Sequence, residues 1–222
     1  ATLGLGSGLV ADSTGEAEWQ ECLDKAAFLQ LGTRVELFET MRADPVTGAG
    51  RLDLHLARLT ASADVFGLPH DVQDLRSLVQ DAVSSLAGPA RLRLRLDSTG
   101  ARCETGPLPE PLDRPWSVAL RPLPVDPGDF RLRHKTTDRA FYDDARTASG
   151  ADEVVLVRPD GLVTEGSITA VFVPRGDVLL TPRLESGLLD SVLRRELVDS
   201  GRAVPYDLTA TDLADGFLLG NS

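Results

Sequence analysis

Residues 152–181 read DEVVLVRPDGLVTEGSITAVFVPRGDVLLT. Four short runs rich in β-branched residues fall inside it: Asp152 to Arg158, Leu162 to Thr164, Ile168 to Val173 and Val178 to Thr181. Such runs read as strands. Pro159–Asp160–Gly161 and Pro174–Arg175–Gly176–Asp177 supply turns between them. Downstream, Leu188 to Ser200 has helical spacing and ends at Gly201, and Phe217 to Leu219 is a last short strand. Upstream, Val118 to Leu123 is a strand, and the Pro-rich stretch from Pro107 to Pro115 marks a domain boundary. Before it, Arg91 to Leu96 alternates Arg and Leu, the period of a half-buried strand. Leu52 to Phe66 and Asp71 to Leu86 carry apolar residues at helical spacing, Val35 to Arg42 is a strand, and Asp44 to Gly50 is a turn. The expected class is α+β, with a small domain at 31–115, a larger β-rich domain at 116–222, and an appendage at 1–30. In that appendage a glycine-rich start precedes a helix from about Glu16 to Leu29.

The chain has 222 residues and a formal net charge of −11, with 42% apolar residues, enough for a buried core. Its acidity argues against nucleic acid or an anionic membrane as partner. No apolar run approaches the ~20 residues of a membrane span, and Ala1 to Val10 has no signal-peptide pattern. Cys22 and Cys103 lie far apart without CxxC spacing, as in a reducing compartment. A cytoplasmic location is expected.

The basic residues are the most informative. Of 23, only Lys25 and Lys135 are Lys. Where a chain prefers Arg for charge, a retained Lys is a candidate for chemistry that needs a deprotonable amine, such as a Schiff base. Lys135 sits in His134–Lys135–Thr136–Thr137–Asp138–Arg139, which reads equally as a polar surface loop. Glu165, between two apolar runs, is an exposed turn residue or a buried partner for a cation. Arg58, on the helix with Leu56 and Leu59, is a solvated side chain or an anion clamp. The helix start near Leu188 to Leu193 offers free backbone N–H groups for an anion. Asn221 and Ser222 follow an apolar strand. His134 reads as structural, and His55 and His70 lack metal-spaced partners, so no metal is assigned.

Several stretches together resemble the class IV aminotransferases, the fold-type IV pyridoxal phosphate enzymes. They are Leu37–Phe38–Glu39–Thr40–Met41–Arg42, His55–Leu56–Ala57–Arg58–Leu59, His134 to Arg139, Thr164–Glu165–Gly166–Ser167, Leu180–Thr181–Pro182 with Ser186 to Leu189, and Gly220–Asn221–Ser222. The resemblance covers about residues 31–222 and implies the two-domain fold of that family. It implies pyridoxal 5'-phosphate as cofactor, Lys135 as the amine that bonds it and moves protons, and Glu165 as partner of its pyridine nitrogen. It further implies Arg58, the N–H groups of Val192 and Leu193, and Asn221 with Ser222 as the phosphate cup. Members are usually homodimers, so a homodimer acting on a small molecule is expected.

Within the family, Lys–Thr–Thr–Asp–Arg is similar to the pattern of aminodeoxychorismate lyases, and the Gly–Gly–Asn–Tyr-like stretch of branched-chain enzymes does not follow Lys135. The resemblance therefore implies release of pyruvate from 4-amino-4-deoxychorismate to give 4-aminobenzoate, a folate precursor. Arg93 and Arg95 on the alternating strand are candidates for the substrate carboxylates. Branched-chain or D-amino-acid aminotransferase activity remains open, as does a remnant that holds cofactor weakly. Two departures motivate the last: Ala170 stands where members often carry Asn, and members run on past the position of Ser222. Gly4 to Ser13, with Glu18–Trp19–Gln20–Glu21–Cys22 and Lys25–Ala26, resembles the last segment of chorismate-utilising enzymes such as aminodeoxychorismate synthase component I. That implies the tail of a fused synthase, with Glu21 matching a Mg²⁺ ligand but no synthase activity in so short a piece.

Overall fold

The structure is a computed structural model that describes residues 35–222 and Gly15; the expected helix over 16–29, Glu21 and Lys25 lie outside the described residues. The alternating Arg–Leu segment is strand β3 (Ala90–Asp97). Leu92, Leu94 and Leu96 are almost fully buried on one face, and the Arg side chains take the other. It pairs antiparallel with β1 (Leu37–Asp44) and β4 (Gly100–Gly106), and β2 (Gly48–Ala49) completes the sheet in the order β2–β1–β3–β4. Helices α1 (Leu52–Phe66) and α2 (Val72–Ser84) cover the leucine face. Asp71 caps α2 by accepting the N–H groups of Gln73 and Asp74.

Residues 107–117 carry neither helix nor strand. Beyond them β5 (Val118–Pro122), β6 (Glu153–Val157) and β7 (Val163–Gly166) form a three-stranded sheet, with helix α3 (Ala140–Ser149) packed on β6. A second sheet, in the order β10–β9–β8–β11, contains β8 (Ala170–Arg175), β9 (Val178–Pro182), β10 (Ala203–Tyr206) and β11 (Leu218–Gly220). Helix α4 (Val192–Asp199) packs against β10. The four strands expected over 152–181 are all present, and the fold is α+β.

Three expectations need correction. The helix expected from Leu188 starts at Val192, because Ser191 caps it by accepting the Arg194 N–H. Residues 184–186 form a separate 3-10 turn closed by Gly187 at φ 79°. A Cβ on Gly187 would lie 2.4 Å from the Pro127 carbonyl oxygen, so this turn needs glycine. The strand expected from Ile168 starts at Ala170, because residues 167–169 are drawn into a buried turn described below. The strand expected over 35–42 is shifted to 37–44, and the segment 135–137 pairs beside its start. Helix α3, β4 and β10 have no counterpart in the sequence reading. Tyr142 is the one buried residue of α3, β4 is a glycine-flanked edge strand, and β10 is an edge strand containing Pro205. Among the described residues no helix is long and apolar enough to cross a membrane.

The two faces of β3 make a direct prediction. Leu94→Ala lowers the unfolding free energy by ~2–5 kcal/mol, and Arg91→Ala changes it by less than about 0.5 kcal/mol. Denaturant titration of both variants checks it.

Candidate active site

Lys135 is held by backbone pairing rather than by its side chain. Its carbonyl accepts the Phe38 N–H at 3.0 Å, and Thr137 N–H reaches the Glu36 carbonyl at 2.9 Å. The segment is thereby stitched alongside the start of β1. The amine enters a cavity of about 570 Å³, with Nζ 4.8 Å from the centre of the Phe38 ring and no carboxylate or hydrogen-bond partner among the described residues. Burial, then the neighbouring Arg58 guanidinium, lower its pKa to about 8. A substantial share of the amine is therefore neutral near pH 8, which a nucleophile or proton acceptor requires.

Glu165 lines the same cavity from β7. Its Oε1 accepts the Tyr142 hydroxyl at 2.5 Å and the Leu189 N–H at 3.1 Å. Burial pushes its carboxyl up to about 7, against those donors and the charges of Lys135 and Arg139. The turn after it is clasped by a second buried acid. Glu153 accepts the N–H groups of Ser167 and Ile168 and the hydroxyls of Ser167 and Thr169. A Cβ on Gly166 would meet Thr169 Oγ1 at 2.2 Å, so glycine lets this turn close. Sequence reasoning missed Glu153, because nothing local shows which of two acids twelve residues apart carries a structural turn.

Arg58 is buried, and it is engaged by a residue the sequence reading did not single out. Its Nε and Nη2 donate to Glu39 at 2.8 and 2.6 Å, and its Nη1 donates to the Asp190 carbonyl at 2.9 Å. His55 Nδ1 lies 2.7 Å from the same Glu39 carboxylate. Burial alone would raise the Glu39 pKa, but Arg58 and His55 outweigh it and hold the carboxyl at about 2. Glu39 was legible only as one of the residues carrying the family resemblance. It lies on the helix-facing side of β1 with Leu37 and Met41, where period-2 alternation predicts an apolar residue.

The remaining expected residues separate into those that reach the cavity and one that turns from it. Val192, Asn221 and Ser222 line it, and Asn221 Nδ2 also donates to the Ile168 carbonyl at 3.3 Å. Val192 and Leu193 are the first residues of α4, whose N–H groups have no intrahelical acceptor. The Leu193 side chain instead packs with Ala170, Phe172 and Leu197, and a Cβ on Gly220 would collide with it at 2.7 Å. Ala170 lines the cavity wall above that cluster. His134 packs edge-on against Phe66 and contacts Ser62 Oγ at 3.0 Å.

The Arg face of β3 forms the opposite wall. Arg91, Arg93 and Arg95 all line the cavity. Arg95 is committed to ion pairs with Glu36 at 2.7 Å and Glu104 at 3.0 Å. Arg93 has no ion pair among the described residues and lies 5.2 Å from the Phe38 ring centre. Its Nε and the neighbouring Thr40 Oγ1 are buried without hydrogen-bond partners. Burial, with Arg91 and Arg95 nearby, lowers the pKa of Arg93, a cost that a bound anion relieves.

These residues fit pyridoxal phosphate. An unpaired, half-buried amine suits its aldehyde, a carboxylate with one oxygen lacking a protein donor suits a protonated ring nitrogen, and free N–H groups at the α4 start with Arg58 suit its phosphate. The titrations give two predictions of opposite sign. Glu39, depressed to about 2, stabilises the fold above pH 4.5, and that contribution is lost as pH falls toward 2. Glu39→Gln therefore costs ~3–5 kcal/mol at pH 7, measured by denaturant titration. Glu165, raised to about 7, keeps its proton in the folded state longer than in the unfolded chain. Stability of the cofactor-free protein therefore falls as pH rises from 4.5 to 7, and Glu165→Gln removes that fall.

Comparison with known proteins assigns this geometry to a family. Residues 36–222 match the family model described as amino-transferase class IV. A Mesorhizobium loti protein provisionally described as an amino-acid aminotransferase is 41% identical, with a TM-score of 0.77 over 85% of this chain and 95% of that one. A Mycobacterium tuberculosis protein described as a hypothetical aminotransferase, in its PLP-bound form, is 26% identical, with a TM-score of 0.72 over 84% of this chain and 77% of that one. Among curated proteins, a Schizosaccharomyces pombe protein provisionally named aminodeoxychorismate lyase is 30% identical over 181 residues, 74% of each chain. Aminodeoxychorismate lyase of Bacillus subtilis is 32% identical over 105 residues, 43% of this chain and 35% of that protein. No described residue bears on the expected synthase tail. The chain belongs to the class IV aminotransferases, a family of pyridoxal phosphate-dependent enzymes.

Proposed function

We propose that this enzyme is a 4-amino-4-deoxychorismate lyase that releases pyruvate and 4-aminobenzoate, a step in making a folate precursor. The observation that carries the reading is the cationic wall of β3, which faces the cavity holding Lys135 in a chain of net charge −11. A substrate with two carboxylates matches such a wall. The two similar curated proteins named as lyases support it.

Pyridoxal phosphate, when bound, supplies an electron sink for the carbon bearing the substrate nitrogen. The chain supplies the rest. Glu165, whose Oε2 takes no donor among the described residues, would accept from the protonated nitrogen of the cofactor ring and hold that charge in place. Arg58 and the N–H groups at the start of α4 would hold the cofactor's phosphate, the guanidinium by charge and the amides by hydrogen bonds. Lys135 Nζ, as a neutral amine, would accept the proton from that carbon of the substrate ring. The electron pair aromatises the ring as the C–O bond to the enolpyruvyl group breaks. Lys135 would then return that proton to the methylene carbon of the departing enolate, giving pyruvate. Proton count and electrons balance without an added oxidant. Arg93 is the carboxylate anchor of choice, because Arg95 is already paired.

The higher identity to the Mesorhizobium loti protein favours a second reading, transfer of an amino group between small amino and keto acids. Incubation with 4-amino-4-deoxychorismate and a coupled pyruvate assay separates the two. The lyase reading predicts pyruvate without any added keto acid. Turnover only with an amino donor and a keto acid supports the transaminase reading. Lys135→Ala lowers kcat by ~10²–10⁴-fold and abolishes the visible absorption band of the loaded enzyme. Arg93→Met raises KM about tenfold or more, whereas Arg95→Met leaves KM nearly unchanged and lowers stability.

A further inference from the structure

Both hydrogen bonds that fix Glu165 fall on one oxygen. Oε1 accepts from Tyr142 and from Leu189, and Oε2 takes no donor among the described residues. The two oxygens are chemically equivalent in solution, so this asymmetry is imposed by the protein. Tyr142 imposes most of it. Its ring sits in the first turn of α3, 6% exposed, in the cluster of Leu132, Val154 and Leu156. The Phe141 ring lies 4.1 Å away, and the Arg139 guanidinium lies 5.3 Å from the ring centre. Arg139 is itself held by the Ser167 carbonyl at 2.6 Å, in the turn that follows Glu165. The hydroxyl therefore has little freedom to turn elsewhere. Burial and the Glu165 charge raise the Tyr142 pKa well above its ordinary value, so the proton stays on the phenol and Tyr142 is the donor. The cations facing Glu165 are Lys135, Arg139 and Arg58, and the acids near Tyr142 are Glu165 and Asp129.

We propose that Tyr142 is a positioning residue that acts through Glu165: its hydroxyl anchors Oε1, so that Oε2 is presented to a protonated aromatic nitrogen in the cavity. The identity of that nitrogen rests on the function proposed above. The anchoring itself does not.

The test separates the two. Protein labelled with ¹³C at the Glu carboxyl carbons is titrated without cofactor, and Glu165→Gln assigns the resonance. In Tyr142→Phe, which keeps the packed ring, the Glu165 midpoint moves up by about one to two pH units, because a donor to the charged form is gone. Replacing both tyrosines, Tyr142 and Tyr206, with 3-fluorotyrosine strengthens the donor without a substitution and moves the midpoint down. An unchanged midpoint in either protein, or a shift of the opposite sign, overturns the proposal. Fluorescence titration with pyridoxal phosphate gives the second readout. Tyr142→Phe weakens binding about tenfold, and adds nothing once Glu165 is already Gln. Losses that multiply instead show that Tyr142 acts independently of Glu165, which also overturns it. If wild-type protein binds no pyridoxal phosphate, the proposed function fails while the carboxyl titration still decides the role of Tyr142.

Discussion

Arg58 joins the two halves of the molecule. It leaves α1, donates two hydrogen bonds to Glu39 on β1, and donates a third to the Asp190 carbonyl just before α4. Arg51, at the start of α1, adds an ion pair to Glu196 on α4 at 2.7 Å. The cavity lies where these halves meet, so its shape depends on a buried ion pair that excludes water. Such a pair contributes little net energy over an apolar substitute, but removing one partner strands the other charge. The constraint is therefore one of geometry: it fixes where the start of α4 stands relative to Lys135 and β3.

Around that joint, charge is arranged against the trend of the chain. The protein is acidic as a whole, yet its cavity wall is cationic. The acids that reach the interior have specific tasks. Glu39 holds Arg58, Glu153 folds the turn at 167–169, and Glu165 waits for a cation. The amine of Lys135 sits among these charges without a partner, and burial, then the neighbouring Arg58, lower its pKa. Stability and function meet here, because a buried carboxylate raised to about 7 and an unpaired amine cost folding energy that a bound ligand returns.

Much of this was legible in the sequence. Period-2 alternation located β3 and even its two faces, although the Arg face meets a cavity rather than open water. The scarcity of Lys singled out Lys135 before any contact was known. Turn chemistry delimited the strands over 152–181. What escaped were features decided by distant partners. Glu39 occupies a core position that a periodicity argument fills with an apolar residue, and only His55 and Arg58, sixteen and nineteen residues later, make it tolerable. The start of α4 was misjudged because the apolar pair Leu188–Leu189 belongs to the turn after Gly187, where Leu189 serves Glu165 through its backbone. Tyr142 gave no local signal, since its short helix mixes apolar and charged residues and Tyr142 is the one residue of it that is buried.

Of the two lysines in the chain, we propose Lys135 as the residue that bonds the cofactor. Protein incubated with pyridoxal phosphate, reduced with borohydride, digested and examined by mass spectrometry tests it most directly. The expected result is a reduced pyridoxyl adduct on the peptide containing Lys135 and none on that containing Lys25. An adduct on Lys25 alone, or on neither lysine at saturating cofactor, would contradict it.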